Sequence, residues 1–113
     1  MIYYHRTNRA EAILHDGFRD HAGSYGFDTI LSGVLISDVP LDENEGAKGD
    51  DLLEIILDCD ISEYQIIYEG ANYREWCVPA ELLNRKAKVR LMTFEEEDPI
   101  TRKRWNLPNS LDT

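Results

Sequence analysis

Apolar residues fall along the chain in short runs of two different periods. Ile2, Tyr3 and Tyr4 are β-branched or aromatic and predict a first strand over residues 2–5. Ala10, Ile13 and Leu14 follow at i, i+3 and i+4, the spacing of a helix that turns one stripe toward a sheet. Asn8 and Glu11 stand three apart, as in a capping box, so the helix is expected over 9–16. Gly17 supplies the residue that can end it at positive φ, and Phe18 is placed to fold back onto its last turn.

Between 19 and 32 periodicity is weak, and Gly23, Ser24, Gly26 and Asp28 are loop formers. An irregular connection of this length in a small domain is usually functional or mobile, and it is expected to be the lid of a site. Gly33-Val34-Leu35-Ile36-Ser37 reads as a short strand, and 41–50 as an exposed acidic connection. The run 52–57 is apolar except for Glu54, as in a central strand covered on both faces. Further strands are expected at 64–68 and 73–78; in the latter, Glu75 and Cys77 share one face and Arg74, Trp76 and Val78 the other. Pro79 opens a short helix through Leu83. Over 87–92 alternation places Ala87, Val89 and Leu91 inward, Lys88 and Arg90 outward.

Beyond Thr93 the pattern decays into Glu95-Glu96-Glu97-Asp98 and Arg102-Lys103-Arg104-Trp105. Residues 1–94 are therefore expected to form one domain and 95–113 a loosely attached tail anchored by Trp105. One early helix, a short later helix and about six strands make an α+β fold with a mostly antiparallel or split sheet.

Composition narrows the partners. The 113 residues are 42% hydrophobic and 30% charged, which suits one globular core. A formal charge of −10 disfavours nonspecific nucleic-acid binding over the surface as a whole. A local cationic groove stays open to the chain, because Arg6, Arg9 and Arg19 cluster early and Arg74, Arg85, Lys86, Lys88 and Arg90 late. No apolar run approaches the roughly 18 to 20 residues that span a bilayer, and the first residues lack the pattern of a signal peptide. No membrane partner and a cytoplasmic location are expected. Cys59 and Cys77 lack metal or redox spacing and read as reduced, buried thiols.

Glycine-rich phosphate loops, His-Glu-x-x-His and a nucleophile elbow are missing from the sequence, so no metal is expected. His5, Thr7, Ser37 and Glu75 remain, each at or near a strand end.

Around these residues the chain resembles the ADP-ribosyltransferase superfamily, in particular its poly(ADP-ribose) polymerase-like and small bacterial branches. Tyr4-His5-Arg6-Thr7 is similar to that family's first-strand Tyr-His-Gly-Ser/Thr, followed by a helix ending in Gly-Phe. Residues 33–37 resemble its Gly-x-Tyr-Phe-Ser/Ala strand, and Arg74-Glu75-Trp76-Cys77-Val78 its Asn-Glu-Tyr-Ile-Val strand with the catalytic glutamate. The three motifs stand in the family's order across residues 2–92.

The resemblance implies a small split-sheet domain that uses NAD as a substrate. His5 would bind a ribose hydroxyl, the backbone around Arg6 the nicotinamide amide, and Thr7 would support that contact. Ser37 would belong to the same site, and Tyr25 or Phe27 would stack on a ring from the 19–32 segment. Glu75 would bind the 2′-hydroxyl of the nicotinamide ribose and stabilise the sugar cation. His5 and Glu75 are thus expected on adjacent central strands, opening to one cleft. Arg6 replaces the family's glycine, and Leu35 or Ile36 the tyrosine that sandwiches nicotinamide in many relatives. The acceptor would be a protein or nucleic acid, the setting a toxin or phage effector, and an inhibitory protein a possible partner. The other reading of the same fold is a binding module without catalysis, or an acidic mimic of nucleic acid.

Overall fold

The computed structural model describes residues 1–23, 30–41, 47, 49–105 and 107. Strand β1 (Ile2–Thr7) leads into helix α1 (Ala10–Asp16), and β2 (His21–Gly23) pairs with β3 (Leu31–Ser37). Strands β4 (Asp51–Ile56), β5 (Gln65–Ile66) and β6 (Glu75–Val78) come next, then α2 (Ala80–Lys86), β7 (Lys88–Met92) and α3 (Phe94–Arg104). The strands lie in the order β5-β6-β3-β1-β4-β7, with β2 on β3 and all pairings antiparallel. The α+β class expected from the sequence is the class observed.

The sheet parts in its middle. β1 follows β4 from Ile2↔Ile56 to Thr7↔Asp51, and β3 follows β6 from Val34↔Val78 to Ser37↔Glu75. Between them, β1 meets β3 at Tyr4↔Ser37. Farther along, β3 pairs instead with β2, His21 opposite Gly33. A gap therefore opens between the second half of β1 and the first half of β3.

Side chains alternate across this sheet. Tyr3, Val34, Ile36, Leu53, Ile55, Trp76 and Val78 form a buried cluster with Ala10 of α1, Phe18, and Ala80 and Leu83 of α2. On that face Tyr3 and Trp76 meet edge to face at 5.0 Å, a favoured aromatic geometry. The second face carries Tyr4, Arg6, Leu52, Glu54, Ser37, Glu75 and Cys77, by the same registers. Arg6 there donates to the Leu41 carbonyl and to the Glu97 carboxylate, which ties residue 41 and α3 to this side.

Several local expectations change. The capping box at α1 does not form: Asn8 Oδ1 accepts from the Asp50 amide at 2.9 Å, and the Arg9 amide is satisfied by Thr7 Oγ1 at 2.9 Å. The 49–50 segment lies so close to β1 that a Cβ on Gly49, at φ +136°, would sit 2.3 Å from the Thr7 carbonyl carbon. Gly17 does take positive φ, 90°, but the corner is held from outside, by Asn84. Asn84 Oδ1 accepts from the Phe18 amide and its Nδ2 donates to the Phe18 carbonyl. The 64–68 strand shrinks to β5, preceded by a 3-10 turn. On β7 Leu91 is 45% exposed and Met92 is buried on the other face, because this strand pairs only with β4 among the described residues and its outer part extends past the core.

The expected loose tail is corrected over its first part. Thr93 and Glu96 form a capping box that starts α3, with three acids in its first turn and three bases in its last, an order that suits the helix dipole. Glu97 and Arg104, rather than the half-exposed Trp105, fasten it to the body.

Candidate functional site

The parting of β1 from β3 produces a cleft of about 610 Å³. One wall is the end of β1 with α1, including His5, Arg6, Thr7, Arg9 and Ile13; the other is the corner 17–21 with Gly33 and Leu35 of β3. Three of the residues chosen from the sequence thus border one space.

His5 is set by two neighbours. Its Nδ1 lies 2.6 Å from the Leu35 carbonyl oxygen, and its ring meets Phe18 edge-on at 5.6 Å. A carbonyl only accepts, so Nδ1 carries the proton and Nε2 is left as the ring's acceptor. Burial holds the imidazole pKa below its ordinary value, opposed by the Leu35 bond. Neutral His5 can accept a hydrogen bond from a hydroxyl in the cleft.

This burial has a signed consequence for stability. As pH falls through about 6.5 the unfolded chain binds the proton before the folded one does. Stability from neutral His5 is complete above that value and is lost as pH drops toward the lower folded pKa. Denaturant titrations between about pH 7.5 and 5.5 should show this fall, at most about 1.4 kcal/mol per pH unit from one group, and His5→Gln should flatten it. Equal slopes in parent and variant would remove His5 as the cause.

The other residues are disposed differently. The Arg6 side chain, on the second face, is engaged by Leu41 and Glu97; what it presents near the cleft is its backbone. Thr7 is buried and its hydroxyl serves the turn into α1. Ser37 does not line the cleft: it is buried and its hydroxyl bonds the Val39 carbonyl at 2.6 Å. Tyr25 and Phe27 lie outside the described residues. Of the expected lid, residues 21–23 and 31–32 are strands of the β2–β3 pair, and Arg19, Asp20 and His21 border the cleft.

Glu75 is the main correction. β3 lies between β6 and β1, so Glu75 and His5 are not on adjacent strands. The register Tyr4↔Ser37↔Glu75 puts Glu75 on the second face, whereas His5, next to Tyr4, points to the first. Two strand spacings, about 10 Å, separate β6 from β1. The carboxylate is 9% exposed and takes a hydrogen bond from Tyr68. The Tyr68 hydroxyl is pushed far above its ordinary pKa by burial first and then by the Glu75 charge and bond. Arg74, its sequence neighbour, pairs instead with Asp38 at 3.1 Å. Cys77, two residues on, is buried and its thiol pKa is raised by burial, then by Asp20 and Glu75, which makes it an inert thiol.

Arg9 and Arg19, which the sequence groups with Arg6 in an early cluster able to form a local cationic groove, both line the cleft. Among the described residues neither guanidinium has an ion-pair partner, so two cations face the mouth of the cleft. Their closeness in sequence was the available signal. Among the described residues there is no group of three or more His, Cys, Asp or Glu able to hold a metal, and no helix long and apolar enough to cross a membrane. No family model, curated protein or solved structure matches the chain, so the reading of the cleft rests on its own geometry.

Proposed function

We propose that the cleft binds NAD and that the protein transfers its ADP-ribose to a macromolecular acceptor. The observation that carries this is the parted sheet: a cleft between β1 and β3 with His5 Nε2 as an acceptor and Arg9 and Arg19 as cations. An acceptor nitrogen suits a ribose hydroxyl, and guanidinium groups suit a pyrophosphate. Gly33 has no side chain to raise the β3 rim, and Leu35 on the same rim is half-buried.

In this reading the dinucleotide starts in the cleft and crosses the rim of β3, so that its nicotinamide ribose reaches Glu75. Two strand spacings, about 10 Å, and the thickness of the sheet lie between the two side chains, a path the dinucleotide covers only by bending over the rim. The glycosidic C1′–N bond breaks, its electron pair leaves with neutral nicotinamide, and the ribose becomes an oxocarbenium ion. Glu75 stabilises that cation through the 2′-hydroxyl. The acceptor adds to C1′ and releases a proton to solvent. Leu35 offers no aromatic face to nicotinamide. This loss of stacking favours the second reading, a module that keeps the cleft for binding alone.

Thermal unfolding with added NAD separates the two. A ligand that binds only the folded state raises the melting temperature, by an amount that grows with the logarithm of its concentration above the dissociation constant. NAD at about 100 times its dissociation constant should add about 2.7 kcal/mol, and His5→Ala should weaken binding about tenfold, the scale of one lost hydrogen bond. Absence of both stabilisation and nicotinamide release would leave the binding module; stabilisation without release would make the cleft a nucleotide sensor.

A further inference from the structure

On the second face, helix α3 is held in an unusual way. None of its residues is fully buried and only Ile100 among its aliphatic residues is half-buried, so it lacks the buried apolar stripe that normally docks a helix. Its last arginine instead enters a nest built by two other segments. Arg104 Nη1 donates to the Pro40 carbonyl at 3.1 Å, and Nη2 to Asn72 Oδ1 at 3.0 Å. Its guanidinium carbon lies 5.7 Å from the centre of the Tyr73 ring and 4.6 Å from that of Trp105, the next residue in the chain. Behind Tyr73 stands Tyr68, at 6.1 Å, which is bonded in turn to Glu75.

Two acceptors served by different nitrogens, with a ring face beneath, match the flat fork of a guanidinium. An ammonium has no such plane and cannot divide its donors in the same way while resting on the ring. The rest of α3 is joined to the body by charged side chains, Glu97 to Arg6 and Glu96 to Arg90. Of these two ties the half-exposed Glu96–Arg90 pair is the weaker, so the end of the helix depends on how firmly Arg104 is held.

We propose that the Pro40–Asn72–Tyr73 nest is an arginine-recognition site, filled in cis by Arg104. An arginine-bearing segment of a partner protein displaces Arg104 and lifts the end of α3. The net charge of −10 draws basic partners toward the chain. Binding here needs no NAD and stands apart from the proposed transfer, although the occupant lies beside the strand that carries Glu75.

The test uses the full chain and two probes, N-acetyl-arginine methylamide and N-acetyl-lysine methylamide, titrated by NMR against the ring signals of Tyr73. Removing the internal competitor raises apparent affinity by the reciprocal of the fraction of nest it had left open, tenfold for an open fraction of about one tenth. Arg104→Gln should bind the arginine probe about tenfold more tightly than the parent does, with the lysine probe at least about tenfold weaker than the arginine probe. Arg104→Lys should show the same gain, since lysine fills the fork poorly; a general charge role would leave that variant like the parent. Adding Tyr73→Leu to Arg104→Gln should abolish the gain. Equal affinity in parent, Arg104→Gln and Arg104→Lys, or no preference for arginine over lysine, overturns the proposal. NAD-induced stabilisation, measured on the same samples, reports the cleft separately: its absence beside arginine binding would reject the transferase alone.

Discussion

Glu75→Gln is expected to lower nicotinamide release from NAD about 100- to 1,000-fold, the range for losing one preorganised electrostatic contact. NAD affinity should change little. The contact strengthens as the sugar cation forms, so its loss appears in turnover rather than in ground-state binding. Two features make the substitution a clean one. Glutamine keeps the shape and an oxygen that accepts from Tyr68, so the packing at a 9% exposed position is preserved. The neighbouring cation, Arg74, is held by Asp38 and keeps that partner in the variant. Single-turnover release with saturating NAD is the measurement. Equal rates in parent and variant would keep an NAD-cleaving activity and take Glu75 out of it; the 10 Å offset between β6 and β1 would then be decisive.

His5→Ala complements that experiment from the other side of β3. A ribose contact is present in ground and transition states alike, so its loss raises the apparent dissociation constant and leaves turnover of the bound complex close to the parent's. The two variants would thus divide along the two faces of the sheet, binding on the His5 side and chemistry on the Glu75 side.

Local pattern was enough to place β1, α1, β3, β4, β6, α2 and β7, because each carries its own period or cap. Registers between distant strands were not legible. Nothing in residues 73–78 says that β3 will be interposed between β6 and β1, and a shift of one position in pairing moves a side chain to the other face. That is why His5 and Glu75 were expected to share a cleft that the structure divides. The Asn84 clamp on Phe18 was hidden for a related reason: its partners are 66 residues apart. By contrast α3 was legible and was passed over. Thr93 and Glu96 at capping-box spacing, acids before bases, and Arg102 four residues after Asp98 all announce a helix. The lack of an apolar stripe masked these signs, since α3 is docked by charge and not by a hydrophobic face.

Arg6→Ala should show how much depends on that docking, and it is expected to lower stability by about 2 to 4 kcal/mol. The Arg6 side chain is 11% exposed and its partner Glu97 21%, so solvent screens the pair little. Removing the guanidinium leaves the Leu41 carbonyl and the Glu97 carboxylate without their donor, and each such orphan costs about 1 to 3 kcal/mol before relaxation. For a domain of this size the melting temperature should fall by roughly 10 °C. Glu97→Gln, which keeps an oxygen for the guanidinium, should cost only about 1 kcal/mol. Hydrogen exchange over α3 should quicken in Arg6→Ala ahead of β1 and β4, because the helix loses one of its ties while the central strands keep theirs. NAD binding should persist below the lowered melting temperature, since only the backbone at this position is assigned to the ligand. A variant that melts within about 2 °C of the parent, with α3 exchange unchanged, would mean that Arg104 and its nest hold the helix without help from Arg6.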